Sequence, residues 1–420
     1  MKLVFVVQRY GTDVAGGAEA LCRMFAERLA ARGHDVSVLT SAARDYATWA
    51  DHYPVGDDEL NGVRVRRLGV VAPRDQQRFD ALSQRVAGAP DGDAIVEAAW
   101  MLEQGPRLVD FGSEVRAAAA AADVVVFVTY LYATTVLGLD ELGGAAPALL
   151  HPAAHDEWPA RLPSIRAVYD RADGIALSTP EELDYVQLRY RPTAPCAVVG
   201  IGFDPPPREI PADGPEVAAV RDRFALGDAP YVLCLGRVDP NKGSGEAISF
   251  VQEFRRRHRS DLRLVLCGAE MMDIADRDGL VVTGFVDDDT KWAAIAGARA
   301  VVQPSRQESF GMTLAESWMA GRAVLVQSAC EVTAGLTRRA GGGLCYGAYS
   351  SFDAALSLLL ERPEVAERLA AAGRRHVLDT YSWDRVLDAY ESMFDRVRAQ
   401  WADAGAQSSR SDATFRPITA

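Results

Sequence analysis

Two carboxylates, Glu308 and Glu316, lie on either side of a glycine-bearing turn in the stretch Gln303 to Gly321. An apolar run before the turn is typical of a buried parallel strand, and apolar residues after it recur at helical spacing. We therefore predict a strand, a loop and a helix. Ser309 is of a type that caps helices, and a helix beginning here has backbone N–H groups without intrahelical acceptors near residues 310 to 313. Such a helix terminus attracts anions.

A second loop carries two cations. It is the segment Gly236 to Gly243, GRVDPNKG, which follows the apolar strand Tyr231 to Leu235 and contains Arg237 and Lys242. Two cations in one loop can hold a diphosphate. Ligands of parallel α/β sheets bind at the carboxyl ends of the strands, where both loops are predicted to lie. Taken alone, Glu308 and the second glutamate could equally be solvated acids near a helix start.

Together these two segments resemble the retaining, nucleotide-sugar-dependent glycosyltransferases of family 4, which have the two-domain GT-B fold. The run from Glu308 to Glu316 matches the two-glutamate motif of that family, and GRVDPNKG matches its phosphate loop. The resemblance extends through nearly the whole chain, because it includes Gly16-Gly17-Ala-Glu19, His155-Asp156 and Gly284-Phe-Val286. It implies an α/β protein with two doubly wound Rossmann-like domains that face a central cleft.

The resemblance also implies a role for each matching residue. The residues implied at the reaction centre are His155, Glu308, Arg237 and Lys242. The implied donor-binding residues are Gly16, Gly17, Arg237, Lys242, Val286, Glu308, Phe310, Gly311, Met312, Thr313 and Glu316.

In these implied roles, Arg237 and Lys242 stabilise the leaving diphosphate together with the helix amides, and Glu316 accepts hydrogen bonds from the ribose hydroxyls. Glu308 holds hydroxyls of the transferred sugar. His155 orients that sugar from the other domain. Phe310, Gly311 and Met312 supply backbone contacts, and Val286 contacts the base through its backbone. The turn Gly16-Gly17 faces the donor phosphates or sugar.

Two of these assignments have a structural alternative. A lone histidine is more often structural, but the position of His155 at a predicted strand end beside Asp156 favours the functional role. The pair Gly16-Gly17 could serve only the backbone geometry of a turn.

Length and charge narrow the class of protein. A chain of 420 residues fits two domains of about 200 residues each. The net charge of -13 argues against a nucleic-acid-binding surface, which needs a basic footprint. The basic cluster from Arg255 to Arg259 is interpreted as a solvated helix end, with a lipid or phosphate surface as the alternative.

Cysteine usage and hydropathy predict a cytoplasmic protein. The six cysteines lack metal-ligand spacing, so reduced buried thiols are the simplest interpretation. The first residues show no cleavage site of a signal peptide, and no apolar run approaches the roughly 18 residues that a membrane span requires. We therefore expect no transmembrane segment, although peripheral membrane contact stays possible.

The chain begins with an apolar strand, a glycine loop, a helix ending near Gly33 and a second strand, which is a Rossmann-like unit. It lacks GxGxxG, so a dinucleotide cofactor is not expected. The proline-rich segment 205–215 is the predicted linker. The resulting domains are an acceptor-side domain at 1–205, a donor-binding domain at 206–380, a crossover helix at about 381–400 that returns to the first domain, and a disordered tail at 405–420.

Three further groups of residues were considered. Asp287, at the start of an acidic triplet, is predicted to cap a helix rather than to bind a metal, so we expect no required metal and no cofactor beyond the co-substrate. Residues 338–346 are expected to form a glycine-rich loop. Four aromatic residues could contact the acceptor, with core packing as the more common alternative: Trp100, Tyr130, Tyr132 and Trp158.

The leading hypothesis is transfer of a hexose-type sugar, with retention, from a UDP- or GDP-linked donor to an acceptor. A saccharide, a glycolipid and a small natural product all stay open as acceptors. The alternatives are a nucleotide-sugar epimerase of the same fold, a phosphorylase, for which the lysine motif that binds pyridoxal phosphate is missing, and a non-catalytic sugar- or nucleotide-binding protein.

Overall fold

The computed structural model describes residues 1–14, 16–88 and 93–413, with side chains through Asp403. The chain forms two compact units. One contains residues 1–200 together with the residues from Val386 onwards, and the other contains residues 201–385. The division therefore falls slightly before the boundary at residue 205 expected from the sequence.

The first unit is built around an eight-stranded sheet with the order β3-β4-β2-β1-β5-β6-β7-β8, in which only the β3–β4 pairing is antiparallel. The central strands are continuous apolar runs, as expected for strands covered on both faces. The strands are β1 (Lys2–Val6), β2 (Asp35–Ser41), β3 (Gly56–Leu60), β4 (Val63–Leu68), β5 (Val124–Val128), β6 (Ala148–His151), β7 (Gly174–Leu177) and β8 (Cys196–Val198).

Helices connect most of these strands, as parallel pairing requires. They are α1 (Gly17–Ala31), α2 (Gln76–Gly88), α3 (Ala94–Gln104), α4 (Phe111–Ala119), α5 (Ala133–Leu142), α6 (Pro163–Arg171) and α7 (Pro180–Tyr190), with a short 3₁₀ helix at Trp158–Arg161.

The second unit contains a six-stranded, fully parallel sheet with the order β11-β10-β9-β12-β13-β14. Its strands are β9 (Tyr231–Leu235), β10 (Arg263–Cys267), β11 (Leu280–Val282), β12 (Ala300–Gln303), β13 (Val324–Gln327) and β14 (Gly343–Tyr346). Its helices are α8 (Pro215–Arg223), α9 (Ser244–His258), α10 (Asp288–Gly297), α11 (Met312–Met319), α12 (Glu331–Ala340), α13 (Tyr349–Glu361) and α14 (Pro363–Thr380).

Each sheet reverses its strand order at one point. In the second unit the order reverses between β9 and β12, and in the first unit it reverses between β1 and β5. Ligands of open α/β sheets bind beside the carboxyl ends of the strands at such switch points. The topology therefore predicts ligand sites at the loops that follow these four strands.

The last helix, α15 (Trp383–Ala413), packs against the first unit from Val386 onwards. Tyr390 is fully buried, and its ring lies 4.5 Å from that of Phe25 on α1. Arg32, the residue that follows α1, contacts Asp388 of α15 at 2.6 Å. The backbone is helical past residue 405, where disorder was expected, since no proline interrupts it before Ala413. Residues 414–420 of the expected tail lie outside the described residues.

The predicted fold class is confirmed, because both units are α/β layers around mostly parallel sheets. One local expectation was wrong. Residues 338–346 do not form a loop, because the segment contains the end of α12 and the edge strand β14, which pairs with β13. No helix in the described part of the chain is long and apolar enough to cross a membrane.

A buried histidine predicts a pH dependence of stability. His151 is 1% exposed, and its ring nitrogens lie 3.2 Å from Ser178 Oγ and 3.3 Å from the Tyr390 hydroxyl. Burial lowers its pKa from the ordinary 6.5 to about 3. Below pH 6.5 His151 is therefore protonated in the unfolded chain but stays neutral in the folded chain. The free energy of unfolding consequently falls as the pH drops from 6.5 toward 3.

We expect this one group to remove up to ~1.4 kcal/mol of unfolding free energy per pH unit in that window. His151→Gln, which keeps a hydrogen-bonding side chain that cannot charge, should lack this loss, so on going from pH 7 to pH 5 its unfolding free energy from urea unfolding should change more favourably than that of the unchanged protein. The buried carboxyl of Glu182 has a pKa raised by burial to about 7, so its contribution has the opposite sign, but both proteins contain it. Parallel curves for the two proteins would show that His151 is not responsible.

Candidate functional site

An ion pair joins the two loops at the switch point of the second unit. Lys242, in the loop after β9, donates from Nζ to Oε1 of Glu308, in the loop after β12, over 2.7 Å. Gln303, the last residue of β12, donates to the same oxygen over 3.3 Å. The two strands are parallel neighbours, so their loops leave the sheet at the same edge. The lysine and the first glutamate of the two motifs are therefore brought together.

The loops are also close at the backbone. Gly243 has a φ of +72°, in the left-handed region, and a Cβ atom there would come within 2.4 Å of the carbonyl oxygen of Pro304. Both observations require glycine at this position. The GRVDPNKG loop is therefore packed directly against the loop that carries Glu308.

Asp239 organises the cationic loop. It is 6% exposed, and its Oδ1 accepts a hydrogen bond of 2.9 Å from the backbone N–H of Lys242. Its other oxygen lies 3.3 Å from Nε of Arg237, whose side chain is 46% exposed. One buried carboxylate thus holds the turn that presents both cations at this edge of the sheet.

The helix α11 begins at Met312, but its N-cap is not the residue that the sequence suggested. Ser309 was expected to cap it, but the N-cap is Gly311, with φ +88° and no capping side chain. Glycine is needed because the chain turns through the left-handed region there. Met312 and Thr313 then form the first turn, so their backbone N–H groups lack intrahelical acceptors.

Two neighbouring side chains show which atoms are available at this helix terminus. Phe310 is 2% exposed, and its ring stacks on that of Phe203 at 5.5 Å, so only its backbone can contact a ligand. The hydroxyl of Thr313 is buried and has no hydrogen-bond partner among the described residues. Buried polar groups are normally hydrogen-bonded, so this hydroxyl fits a site that a ligand completes.

The second glutamate is also paired with a lysine. Oε1 of Glu316, on α11, accepts a hydrogen bond of 3.0 Å from Nζ of Lys291 on α10. Lys291 contacts Asp288 as well, at 2.9 Å. Val286 lies in the loop between β11 and α10, at the same edge of the sheet, and its side chain is half-buried.

In the first unit, the loop after β1 ends in a buried ion pair that the sequence analysis missed. Arg9 and Glu19 are each 5% exposed at the side chain and form a salt bridge. Gln8 donates to the same Glu19 oxygen over 2.8 Å. A Cβ atom on Gly16 would lie 2.0 Å from the Glu19 carboxylate, whereas one on Gly17 would meet no atom of the described residues within 4 Å. Gly16 therefore serves packing, and Gly17 leaves open space.

His155 lies in the loop after β6, whereas the glycine pair follows β1, and β5 lies between these two strands in the sheet. Its Nε2 lies 3.5 Å from Oε1 of Glu157, and its Nδ1 lies 3.4 Å from the carbonyl oxygen of Ala153. The hydroxyl of Tyr130, after β5, donates to the same Glu157 oxygen. The structure thus places a carboxylate beside the predicted histidine.

Glu182 holds this loop in place through hydrogen bonds to the backbone. It is fully buried at the start of α7, and it accepts hydrogen bonds from the backbone N–H groups of Ala154 at 2.5 Å and Ser178 at 2.6 Å. Burial raises the pKa of Glu182 to about 7, although both hydrogen bonds oppose that shift. The carboxyl therefore joins the ends of β6 and β7.

The other groups considered in the sequence have structural roles. Asp287 accepts from the backbone N–H of Thr290 as the predicted cap of α10. Trp100 and Tyr130, two of the four proposed acceptor aromatics, are buried in the core, and Trp158 packs against Trp100 at 5.0 Å. Within the described residues, no three His, Cys, Asp or Glu side chains cluster as a metal site would require.

The basic cluster lies at the end of α9, as predicted. Arg255 pairs with Asp278 at 3.1 Å, and Arg257 pairs with Glu253 at 2.5 Å. All six cysteines are free thiols. These observations agree with a solvated helix end and with reduced cysteines.

The sequence did not identify six further residues of these sites, namely Arg9, Asp239, Glu157, Glu182, Lys291 and Gln303. Asp239 and Gln303 had a visible signal, since they lie inside the quoted GRVDPNKG and Gln303–Gly321 segments. The contacts of Lys291 with Glu316, of Glu157 with Tyr130 and of Glu182 with Ala154 had no local signal, because each joins two different elements.

Comparison with known proteins identifies relatives of both units. Residues 219–376 match the family described as "Glycosyl transferases group 1", and residues 16–202 match the "Glycosyl transferase 4-like domain". The chain is 24% identical over 414 residues to the glycogen synthase of Mycobacterium tuberculosis, a match that covers 94% of each protein.

A second relative from the same species is the GDP-mannose-dependent alpha-(1-6)-phosphatidylinositol monomannoside mannosyltransferase, at 26% identity over 58% of this chain and 68% of that protein. Among solved structures, Anabaena HepE in complex with UDP-glucose superposes with a TM-score of 0.61 at 14% identity, over 97% of this chain and 100% of that one. At this identity the structural likeness concerns the fold.

The buried pair of Arg9 and Glu19 predicts a large cost of removing one partner. Glu19→Ala leaves a buried guanidinium without its carboxylate, so we expect a loss of about 3–5 kcal/mol of unfolding free energy. Replacing both residues, as Arg9→Met with Glu19→Leu, should cost less because no charge is left buried. Urea unfolding followed by tryptophan fluorescence measures both.

The matched control is Asp35→Ala, which removes the partner of Arg64 in a pair whose side chains are 46% and 66% exposed. We expect this variant to lose less than about 1 kcal/mol. A Glu19→Ala variant as stable as the control would contradict the structural role of the buried pair.

Proposed function

Since the chain belongs to the group 1 glycosyltransferases, an enzyme family with two Rossmann-like domains, we propose that it transfers a sugar from a nucleoside diphosphate sugar to an acceptor hydroxyl. We further propose that the reaction retains the configuration at the anomeric carbon and requires no metal ion. Transfer breaks the bond between the anomeric carbon and the donor diphosphate and forms a bond to the acceptor oxygen. The acceptor proton leaves with a phosphate oxygen of the diphosphate.

The single observation that carries this proposal is the 2.7 Å ion pair between Lys242 and Glu308. A cation suited to a diphosphate and a carboxylate suited to sugar hydroxyls lie side by side at a switch point of the sheet. Donor diphosphate and donor sugar are joined by one oxygen, so a site for both must bring such groups together. Lys242 has three N–H donors and can serve Glu308 and a phosphate oxygen at once.

Charge that develops on the leaving diphosphate needs preorganised donors. Lys242 supplies an ammonium, Arg237 supplies a guanidinium from the same loop, and the first turn of α11 supplies backbone N–H groups. The N-terminus of that helix adds a partial positive charge of roughly half an elementary unit. These groups are the basis for proposing that no metal is required.

The remaining donor contacts follow the same edge of the sheet. The contacts of Glu308 with Lys242 and Gln303, and that of Glu316 with Lys291, all involve Oε1. In the described part of the chain each Oε2 is therefore available to a hydroxyl. We assign Glu308 to the sugar and Glu316 to the ribose, with the backbone of Val286 at the base. We assign His155 to a hydroxyl of the sugar, and we propose that the open space beside Gly17 admits the donor.

The relatives support a nucleotide sugar as the donor. One is named as GDP-mannose-dependent, and the Anabaena structure is titled as a complex with UDP-glucose. We therefore propose a UDP- or GDP-linked hexose. The names of the two Mycobacterium tuberculosis relatives refer to glycogen and to a phosphatidylinositol monomannoside. We therefore propose a saccharide, a glycolipid and a small natural product as the acceptor classes to test.

The experiment that tests the proposal is a panel of nucleotide sugars and acceptors, with products followed by mass spectrometry and the new linkage by proton NMR. We expect one UDP- or GDP-linked sugar to be consumed, an α-linked donor to give an α-linked product, and excess EDTA to leave the rate unchanged. Conversion of the donor without any acceptor would point to an epimerase instead. An inverted linkage, or a rate abolished by EDTA, would contradict the corresponding part of the proposal.

The ion pair yields a prediction about turnover. We expect Lys242→Ala and Glu308→Ala each to lower kcat by about 10²–10³-fold or more, because each removes a group that contacts the reacting part of the donor. Diphosphate release measures kcat. The melting midpoint should change little, since Lys242 is 34% exposed and partly exposed pairs contribute about 1 kcal/mol or less.

Arg277→Ala is the control, because Arg277 also belongs to the second unit and also pairs with a glutamate, Glu270, but at an exposed position. Its turnover should equal that of the unchanged enzyme. Full turnover by Lys242→Ala or Glu308→Ala would remove the basis of the assignment.

A further inference from the structure

We propose that Glu157, held in place by Tyr130, is a positioning residue that keeps His155 in its doubly protonated, charged form, and that sugar transfer requires this imidazolium. The role in transfer rests on the proposed function. The pairing itself is a property of the ligand-free chain and can be tested without any substrate.

Both ring nitrogens of His155 face groups that only accept hydrogen bonds. Nε2 lies 3.5 Å from the carboxylate of Glu157, and Nδ1 lies 3.4 Å from the carbonyl oxygen of Ala153. A neutral imidazole carries one N–H, so one of its nitrogens would present a lone pair to an oxygen. Only the imidazolium donates on both sides. The geometry therefore favours the charged form.

The Glu157 carboxylate is itself fixed as an anion. The hydroxyl of Tyr130, which is 1% exposed, donates to the same oxygen that faces His155. Burial raises the pKa of Glu157, but the hydrogen bonds from His155 and Tyr130 outweigh it, and the net shift is downward. A carboxylate that stays ionised at neutral pH provides a lasting counter-charge for the imidazolium.

The backbone of the loop that carries His155 is held in place by its surroundings. Ala153 has a φ of +52° and Thr129 a φ of +63°, both in the left-handed region although neither is glycine. Such conformations cost about 1–3 kcal/mol and persist only where the surroundings impose them. The hydrogen bond from the Ala154 N–H to the buried Glu182 is one such restraint.

Charged and titratable groups of three described elements lie near His155. Glu157 and Asp156 lie in its own loop, Tyr130 follows β5, and Glu182 on α7 interacts with it electrostatically. Asp156 also lies 3.7 Å from Arg161, which offsets its charge. The carboxylates act in the same direction, since each favours the imidazolium. Glu157 is the one that contacts the ring.

An imidazolium has a definite use beside a nucleotide-sugar donor. It is a hydrogen-bond donor at both nitrogens and carries a positive charge, so it can bind a sugar hydroxyl or a phosphate oxygen as negative charge develops. It transfers no proton in this role. When His155 loses its proton at alkaline pH, the charge and one donor are lost, and the rate of transfer should fall.

The first experiment is an NMR titration of the ligand-free, full-length chain labelled at histidine Cε1. Its six histidines are resolved by comparison with His155→Gln. We expect Glu157→Gln to lower the titration midpoint of His155 by about one pH unit or more, because a contacting opposite charge shifts a pKa by about 1–3 units. Asp156→Asn is the matched control, with an expected shift several-fold smaller. An unchanged midpoint in Glu157→Gln overturns the proposal.

The second experiment is the pH dependence of kcat/KM. The alkaline limb should move to lower pH in Glu157→Gln by the amount seen in the titration, and Glu157→Asp, which restores the charge, should recover part of the shift. A merely structural role would lower the melting midpoint without moving the limb. If the NMR titration midpoint of His155 shifts but the alkaline limb of kcat/KM does not move, transfer does not require the imidazolium, and that part of the proposal is overturned. Failure of the unchanged enzyme on every donor would count against the proposed function alone, because the titration needs no donor.

Discussion

Parallel strands send their carboxyl ends to the same edge of a sheet, and every candidate donor contact of the second unit depends on that constraint. The loops after β9 and β12 leave neighbouring strands on either side of the point where the strand order reverses. Lys242 and Glu308, which are far apart in the sequence, therefore form a direct ion pair. The close packing of Gly243 against Pro304 shows that the two loops have little room to separate. The position of the pair follows from the topology, and its chemistry follows from the residue types.

The site balances its own charges before any ligand binds. Each glutamate of the two-glutamate motif contacts a lysine, and Asp239 contacts the cationic loop through both of its oxygens. Carboxylates as little exposed as Glu308 and Glu316 are costly to leave without partners. The pairs are partly exposed, however, so each contributes only about 1 kcal/mol and can rearrange around a diphosphate at small cost. The charged side chains at this edge of the sheet are thus already positioned, yet they can still rearrange when a ligand binds.

Carboxylates of the first unit, two of them buried (Glu19 and Glu182) and one partly buried (Glu157), serve a different purpose. Glu19, Glu157 and Glu182 each follow or join the ends of central strands and fix a loop, through Arg9, Tyr130 and backbone N–H groups respectively. Buried charges of this kind add stability only when fully paired, and they define the loop conformation when they are. The positive φ values at Thr129 and Ala153 show that these loops are held in conformations that the chain would not choose alone. The loops that carry the residues proposed to face a ligand are therefore held in defined conformations by these hydrogen bonds.

Patterns within single segments determined most of the secondary structure, the α/β class and the two motifs of the second unit. Apolar runs such as Ala300–Gln303 and Tyr231–Leu235 became strands with those bounds, because a strand buried on both faces must be apolar throughout. The helix cap at Asp287 was predictable for the same reason, since a cap and its acceptor are close in sequence. Tertiary structure alone decided the partners. Nothing near Lys291, Glu157 or Glu182 in the sequence indicates the contacts with Glu316, Tyr130 and Ala154, because those partners come from other strands and helices that only the folded sheet brings together. Local sequence specifies conformation over a few residues, whereas the charge environment of a site is set by the packing of distant ones.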